Sequence, residues 1–457
     1  MRKRLVWGIA LCILAWALPA LAVPSYTINP IPIPADVHGD WAYLNDHGLA
    51  AGHTLVEGEY RAAVLDTRTG AITDLHVLLD AKRSIARGLN NSGQVIGDWI
   101  GENGVCHAFS WKPDSGMVDL GDFGGPYTYA GGINEAGEIV GCAMDAAFTG
   151  VYAVHWNARQ GMRHLRGLAG IRSSASDINN HGQVAGDYNP MGDRQAFIWD
   201  KAHGMVDLGS MGGQCDTTLG INDYGQVIGQ SFTADGYWCG WIWNASTGMR
   251  MLPTLSGNFA APRCINDAGQ IVGDTEKMPG WPIPALWESG GGIADINDLV
   301  GSSQWEIAGV SSINNKGWMM ARAWSREDDL LHWCVLRPVG ISFVMDIMPG
   351  SRENKIKLGA KQDIPVALIA DEDFDPAAVD LSSISLAGAP VAGEHGKLQA
   401  KMQDVNNDKR KDLVIGIDAS RISLTPGAEP ITVTLTGRTK NGTPITGKDL
   451  VMVAARK

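Results

Sequence analysis

The chain has 457 residues, a formal net charge of −12 at pH 7 and 45% hydrophobic residues. This charge argues against a nucleic-acid partner, because affinity for nucleic acid depends on Lys and Arg side chains that neutralise phosphates. The length exceeds what one ordinary hydrophobic core serves, which favours a large repeat architecture with a smaller added domain.

The first segment has the order of a secretory signal peptide. Basic residues from Arg2 to Arg4 precede an apolar run from Leu5 to Leu18, and Ala20-Leu21-Ala22 supplies the small residues of a cleavage site. We predict a signal peptide over residues 1–22, because a retained anchor would need a longer apolar run. The mature protein would then be secreted or periplasmic, with no membrane span.

Cysteine usage agrees with export but fixes no pairing. Six cysteines remain after cleavage, namely Cys106, Cys142, Cys215, Cys239, Cys264 and Cys334. An even number in an oxidising compartment permits three disulfides, and the spacing matches no zinc motif. Because six cysteines can pair in many ways, we predict no particular connectivity.

The main body consists of seven copies of one repeat, each headed by an Asn-x-x-Gly turn. The seven asparagines are Asn45, Asn90, Asn134, Asn179, Asn222, Asn266 and Asn314, and successive ones are 43 to 48 residues apart. The Asn side chain caps such a turn, and the Gly adopts the positive φ that closes it. This motif predicts a tight hairpin at the same place in every repeat.

Three further segments in each repeat are typical of strands. Short apolar alternations such as HAFSW and GMVDLG follow the turn, and a small-residue segment precedes it. Four strands in about 45 residues are the length of one propeller blade. We therefore predict an all-β fold with a seven-bladed β-propeller over residues 23–338. The segment from Tyr26 would complete the seventh blade, and a solenoid is the alternative, although it would need polar caps that the chain lacks.

These blocks resemble the HAF repeat family of bacterial extracellular proteins, named after a tripeptide that stands here as His107, Ala108 and Phe109. The resemblance covers roughly residues 26–338. It implies a repeat protein that is exported, and it implies no activity, cofactor or catalytic residue.

Residues 339–457 lack the repeat and resemble a small β-sandwich domain common at the ends of secreted bacterial proteins. Alternating strands and the turn pair Asn441-Gly442 agree with such a domain. We place the domain boundary near Arg337-Pro338.

One motif in this domain is typical of a calcium loop. Oxygen donors at loop positions one, three, five, seven and nine would come from Asp404, Asn406, Asp408, the backbone of Arg410, and Asp412. Position six is Lys409 rather than the usual Gly, which makes a positive φ more costly there. Two interpretations stay open, a structural Ca²⁺ site and an Asx-rich turn that needs no metal.

Aromatic residues that break the repeat are candidates for ligand binding. They are Trp99, Tyr188, Tyr237, Trp238, Trp281 and Trp305, which we place in connections that emerge on the propeller face opposite the Asn turns. We call this face the loop face. Because loops on a rigid scaffold carry binding, we predict that it contacts a polysaccharide or a surface protein. The alternative is that these side chains only pack under neighbouring loops.

The chain contains no catalytic signature, so we predict a non-catalytic, monomeric binding or scaffold protein and assign no catalytic residue. The alternative is a polysaccharide-degrading lyase or glycosidase with its site at the axial mouth. Candidate residues for that site are Arg87, Asp177 and Arg263 in the first strands, and His53, Asp98, Asp187 and Asp274 after the second strands. The fold alone cannot decide between these functions.

Overall fold

The computed structural model describes residues 26–34, 37–76, 81–147, 150–165, 172–189, 193–213, 216–278, 280–289, 291–351, 354–358, 362–394, 397–427 and 429–454. The predicted signal peptide and Cys215 lie outside these residues. The described part is all-β, and its main body consists of small antiparallel sheets in a β-propeller arrangement. Across the described ranges, we find no helix with the length and apolar character needed to span a membrane.

The propeller strands follow the sequence repeats, which we number by their asparagines from repeat 1 (Asn45) to repeat 7 (Asn314). Strand β1 (Tyr26–Pro30) precedes repeat 1, whose strands are β2 (His38–Leu44), β3 (Leu49–Val56), β4 (Glu59–Asp66) and β5 (Ile72–Asp74). Repeat 2 contains β6 (Arg83–Leu89), β7 (Val95–Ile100), β8 (Cys106–Lys112) and β9 (Gly116–Asp119). Repeat 3 contains β10 (Gly124–Ile133), β11 (Ile139–Asp145), β12 (Val151–Asn157) and β13 (Gly161–His164).

The same order continues through the later repeats. Repeat 4 contains β14 (Ser173–Ile178), β15 (Val184–Tyr188), β16 (Gln195–Asp200) and β17 (Gly204–Asp207). Repeat 5 contains β18 (Thr217–Ile221), β19 (Val227–Phe232), β20 (Trp238–Asn244) and β21 (Gly248–Met251). Repeat 6 contains β22 (Ala260–Ile265), β23 (Ile271–Met278), β24 (Trp281–Trp287) and β25 (Ile293–Asp295), followed by helix α1 (Ile296–Val300). Repeat 7 contains β26 (Trp305–Ile313), β27 (Met319–Ser325) and β28 (Leu330–Pro338).

Each repeat pairs its strands in chain order. Repeats 1, 4, 5 and 6 form separate four-stranded sheets, whereas one parallel pairing of Tyr127 with Cys106 joins repeats 2 and 3 into an eight-stranded sheet. In repeat 7 the order is β1-β28-β27-β26, with Tyr26 opposite Pro338 and Pro30 opposite Cys334. The predicted pairing of the N-terminal strand with the last repeat is therefore confirmed. It covers an edge of β28 that would otherwise be unpaired.

The seven asparagines form a closed ring of hydrogen bonds. Each side-chain Nδ2 donates to the backbone oxygen of the next asparagine, from Asn45 to Asn90 at 3.1 Å and onward to Asn314, which donates back to Asn45 at 2.9 Å. In all seven turns the same side chain also accepts from the backbone N–H four residues on, as in Asn222 with Gln226 at 3.0 Å. One residue therefore both caps its own turn and links adjacent repeats.

A second ring lies one residue further along each turn. Each backbone N–H donates to the side-chain oxygen of the equivalent residue in the next repeat, in the order Asp46, Asn91, Glu135, Asn180, Asp223, Asp267, Asn315 and back to Asp46. The donor–acceptor distances lie between 2.8 Å and 3.0 Å. The two rings surround an axial cavity of about 210 Å³.

The C-terminal segment forms a unit with its own core. Its strands are β29 (Ile341–Ile347), β30 (Lys355–Lys357), β31 (Ile364–Leu368), β32 (Ser385–Leu386), β33 (Ala389–Pro390), β34 (Gly393–Glu394), β35 (Lys397–Leu398), β36 (Ala400–Gln403), β37 (Asp412–Ile417), β38 (Pro430–Arg438) and β39 (Pro444–Ala454). Two short 3₁₀ helices cover Pro376–Ala378 and Leu381–Ser383. Nine of the strands form one mixed sheet around a hydrophobic core that includes Phe343, Ile347 and Leu435. A two-layer sandwich stays a prediction.

The asparagine ring gives the first testable prediction. Replacing Asn222 by Ala removes the bond to Asn266 and leaves the buried N–H of Gln226 without its acceptor. We expect a loss of about 1–3 kcal/mol in the free energy of unfolding, since a buried group without its partner costs that much. Thermal unfolding measures it, with the exposed Asn258→Ala as the matched control. Equal Tm values for the two variants would contradict a structural role for the ring.

Candidate functional site

Two of the predicted binding aromatics are strongly exposed on the loop face. Tyr237 lies in the turn before β20 and is 57% exposed, and Trp281 is the first residue of β24 and is 69% exposed. They belong to the hairpins β19–β20 and β23–β24 of neighbouring repeats. Trp238 lies beside Tyr237 but is half-buried, and its ring meets Phe232 edge to face at 4.7 Å.

The other three predicted aromatics are held within the fold. The Trp99 ring stacks on His107 at 4.3 Å between centroids. The hydroxyl of Tyr188 donates to Asp207 at 2.7 Å. Trp305 packs against the core of repeat 7. These positions match the alternative interpretation, in which such residues support neighbouring chain segments.

Apolar side chains that were not predicted extend the exposed surface. Met278 is the partner of Trp281 across the β23–β24 hairpin and is 60% exposed, and Phe232 at the end of β19 is also exposed. Leu255 is exposed in the connection between repeats 5 and 6. The sequence analysis selected only aromatic residues as candidates for ligand binding, although a Met at the end of a hairpin departs from the repeat just as clearly.

The charged residues proposed for an axial active site are paired with the scaffold. Arg87 donates through Nε to Asp98 at 2.7 Å, and Arg263 donates through Nη2 to Asp274 at 2.7 Å. Asp177 accepts from the backbone N–H of Ile178 at 2.8 Å and from that of Ile221, in the next repeat, at 3.0 Å. Burial raises the pKa of Asp177 to about 7.

The predicted position of the second-strand residues was wrong by a few residues. His53, Asp98, Asp187 and Asp274 lie within β3, β7, β15 and β23 rather than after them, because these strands continue toward the loop face. Two of them link repeats: Asp98 accepts from the N–H of Ala130 at 2.9 Å, and Asp187 accepts from the N–H of Thr218 at 2.8 Å. Burial raises the pKa of Asp187 to about 6.

The Asn-turn face, which lies opposite the loop face, carries the C-terminal domain. Lys316 of repeat 7 has a fully buried side chain whose Nζ lies 2.8 Å from Asp371 and 3.0 Å from Asp373. Arg68 of repeat 1 pairs with Glu372 at 2.5 Å. Since an unpaired buried ammonium would cost several kcal/mol, these contacts fix where this acidic segment docks.

A third contact involves a hydrogen-bonded group of three side chains. The hydroxyl of Tyr224 in repeat 5 donates to Asp449 at 2.5 Å, and Asn354 donates to the Tyr224 oxygen at 2.5 Å and to Asp449 at 2.8 Å. The backbone N–H of Ile347 also donates to Asp449, at 2.6 Å. Burial raises the pKa of Asp449 to about 7.

These contacts could have been found from the repeat itself. His47, Tyr224 and Lys316 occupy the same position, two residues after the turn asparagine, and all three contact the C-terminal domain. The equivalent residue in repeat 6, Ala268, accepts from Thr432 through its backbone oxygen. Variation at one position of an otherwise constant turn was the available signal.

Between the Asn-turn face and the C-terminal domain lies a cavity of about 790 Å³, which we call the acidic chamber. Its lining includes eight carboxylate residues, namely Asp46, Glu135, Asp223, Asp267, Asp346, Asp371, Asp408 and Asp449. Lys448, His47 and His181 are the basic residues among the described lining. Burial raises the pKa of Asp46, of Glu135 and of Asp267, and it raises the pKa of Asp346 to about 6. The chamber therefore disfavours anions and favours protonated carboxyl groups.

The predicted calcium loop is closed by its own backbone. Asp404 accepts from the N–H groups of Asn407 and Lys409 at 2.7 Å and 3.0 Å, and both of these residues have positive φ. Asp412 is fully buried and accepts from the N–H groups of Val405 and Ala370, both at 2.8 Å. Nowhere in the described ranges do three or more His, Cys, Asp or Glu side chains form a group that could hold a metal.

The remaining loop residues follow the same pattern. Asp408 accepts from the N–H of Arg410 at 2.7 Å, and Asn406 accepts from the N–H of Asp408 at 3.2 Å. The arrangement favours an Asx-rich turn, and calcium binding stays an untested prediction.

The described cysteines are free thiols. Burial raises the pKa of Cys106 and of Cys264 to about 11 and that of Cys334 to about 12, which makes these thiols poor nucleophiles. Cys142 and Cys239 are also free and buried.

No protein-family model and no curated protein sequence matches the chain. Among solved structures, it is similar to an oligogalacturonate lyase from Vibrio parahaemolyticus, with 9% identity, a TM-score of 0.46 and coverage of 69% of this chain and 97% of that one. An oligogalacturonate lyase in complex with manganese gives 11% identity, a TM-score of 0.45 and coverage of 69% and 96%. TolB from Acinetobacter baumannii gives 14% identity, a TM-score of 0.38 and coverage of 52% and 61%. Likenesses of this extent carry no argument about activity.

The buried Asp449 predicts a pH dependence of stability. Its pKa rises from an ordinary value of 3.8 to about 7, so the protonated form is favoured in the folded state. Its contribution to stability is complete below about pH 4 and disappears as the pH rises through 7. Between pH 5 and pH 8.5, we expect the free energy of unfolding to fall less in Asp449→Asn than in the native chain, whatever the absolute Tm of the variant. Denaturant unfolding across this range measures the slope, and the exposed Asp114→Asn should keep the native slope.

The calcium loop gives a further prediction. Because backbone N–H groups already satisfy Asp404 and Asp412, neither a chelator nor millimolar Ca²⁺ should move the Tm by more than about 1 °C. Differential scanning calorimetry in EDTA and in CaCl₂ tests this. A Tm that rises with Ca²⁺ and returns to its starting value in Asp404→Ala would establish the metal site instead.

Proposed function

We propose that this is an exported, non-catalytic binding or scaffold protein whose loop face contacts a protein on a surface. The observation that carries the proposal is the exposed apolar surface on the neighbouring hairpins β19–β20 and β23–β24. Tyr237, Met278 and Trp281 expose more than half of their surface there. Side chains of this size and exposure on a rigid hairpin typically mark a binding surface.

The composition of this surface favours a protein partner over a polysaccharide. Phe232, Leu255 and Met278 offer apolar atoms without hydrogen-bonding groups, which suit a protein interface better than a hydroxyl-rich sugar chain. Trp, Tyr and Met are the residue types enriched in the centres of protein interfaces. A polysaccharide partner is the other outcome that the experiment below distinguishes.

The pairing of the charged residues that were candidates for an axial active site supports a non-catalytic function. Arg87 and Arg263 each bond to a carboxylate of their own repeat, and Asp177 accepts backbone N–H groups. Side chains committed in this way are not free to act as a base with a neighbouring cation.

The proposal includes a seven-bladed propeller followed by a β-sandwich. Support for seven blades comes from the asparagine ring, whose seventh member, Asn314, bonds back to Asn45. Support for export, to the periplasm or outside the cell, comes from residues 1–22, whose basic, apolar and small residues follow the order of a secretory signal peptide.

The test uses labelled mature protein and intact cells of the producing bacterium. We expect Tyr237→Ala/Trp281→Ala to bind the cells at least tenfold more weakly, since two large anchors of an interface are removed. The control is Val206→Ala/Met251→Ala, which removes exposed apolar groups from the outer strands β17 and β21.

Treatment of the cells separates the two kinds of partner. Binding to a surface protein should disappear after the cells are treated with protease and survive periodate oxidation of their glycans. The reverse pattern would point to a polysaccharide. Native affinity in the double variant, or an equal loss in the control, would refute the loop face as the binding surface.

A further inference from the structure

The outer wall of repeats 2 to 4 carries a groove of about 1040 Å³, which we call the rim groove. It lies at the Asn-turn edge of these repeats, among the turns that join their third and fourth strands. The hydrogen bonds and ion pairs between the described residues of the propeller and of the C-terminal domain fall on repeats 1, 5, 6 and 7. No described residue of repeats 2 to 4 is joined to the domain by such a bond, and His181 of repeat 4 lines both the rim groove and the acidic chamber.

Positive charge is concentrated in the rim groove. Its lining includes Lys112, Arg159, Arg163 and Lys201, all of which are exposed. Among the described residues, no carboxylate lies within ion-pair distance of any of the four. In a chain with a net charge of −12, four unpaired cations in one groove are a marked local excess.

The single carboxylate residue among the described lining does not offset these cations. Glu138 accepts from the side chain of Asn134 at 3.1 Å and lies 3.4 Å from His155, so its two oxygens are directed to partners within repeat 3. A ligand that enters the groove therefore meets cations whose charge is not neutralised by the protein. Such charges attract anions and are available to pair with them.

The groove also contains flat apolar surface. Trp156 and Trp199 are half-buried members of its lining, and they come from adjacent repeats. Indole rings offer apolar faces against which a sugar ring can pack, and the exposed amide side chain of Gln160 can bond hydroxyl groups. A ligand suited to the groove therefore combines anionic groups with ring-shaped apolar faces.

We propose that the rim groove binds an acidic polysaccharide, with sugar rings against Trp156 and Trp199 and anionic groups on the four cations. Charge density favours this over a nucleic acid. A duplex carries one charge per roughly 1.7 Å, so a chain of net charge −12 repels it more strongly than it repels a sugar chain such as alginate, which has a single carboxylate on each ring. This site is separate from the loop face and does not depend on its partner.

The experiment is affinity electrophoresis of the full mature chain through gels that contain alginate, dextran sulfate or neutral dextran. We expect retardation by alginate or dextran sulfate, none by dextran, and weaker retardation as the salt concentration rises. Lys112→Ala/Arg159→Ala/Arg163→Ala/Lys201→Ala should lower the affinity at least tenfold. These side chains are exposed, so circular dichroism should report a native Tm.

A matched control removes the same charge elsewhere. Lys355→Ala/Lys357→Ala/Lys401→Ala/Lys440→Ala changes four exposed lysines of the C-terminal domain and should leave retardation unchanged. An equal loss of affinity in both quadruple variants would show that retardation depends only on net charge, and this would overturn the proposed site. Absence of retardation by both anionic polymers would overturn it as well, as would tighter binding of a single-stranded oligonucleotide than of alginate. Tyr237→Ala/Trp281→Ala should bind alginate normally, which separates this test from that of the loop face.

Discussion

The hydrogen bonds of seven turn asparagines are the interaction on which the rest of the structure depends. A side-chain amide has one acceptor and a two-proton donor, and each asparagine uses the first within its own repeat and the second on the next repeat. Replacement by Asp would keep the turn cap and lose the link, whereas Ser would be too short for both. The repeat therefore needs Asn for a reason that a single isolated hairpin does not have.

The second ring also places groups of like charge close together around the propeller axis. Its acceptors are Asp46, Glu135, Asp223 and Asp267 together with three asparagines, so four carboxyl groups meet around one axis. The C-terminal domain covers them and adds further carboxylates, which raises the pKa of several members because burial disfavours their charged form. Attachment of the domain is instead stabilised at its margin, where Lys316 and Arg68 meet Asp371 and Glu372.

Much of the propeller could be predicted from the sequence because its signals are local. The turn motif, the strand alternation and the pairing of β1 with β28 all follow from patterns within one repeat or from its missing strand. The links between repeats were not predicted, since the bond from Asn90 to Asn134 spans residues 44 apart and leaves no pattern beyond the asparagine itself. Docking of the C-terminal domain was missed for a similar reason, because Tyr224 and Asp449 are 225 residues apart. On the loop face, Tyr237 and Trp281 are exposed, while Trp99 and Tyr188 pack locally, and no periodicity in the sequence distinguishes the exposed aromatic residues from the packed ones.

Differences between the repeats, rather than the features they share, distinguish the candidate binding surfaces of this molecule. A propeller whose repeats were all alike would present the same edge everywhere, so a ligand would find no preferred repeat. The C-terminal domain breaks that equivalence by contacting repeats 1, 5, 6 and 7, and the exposed hairpins β19–β20 and β23–β24 break it on the opposite face. The cations of the rim groove lie on repeats whose described residues form no hydrogen bond or ion pair with the domain. Since the loop face and the rim groove lie at opposite edges of the strands, a ligand on one would not block the other, as the proposed scaffold role requires.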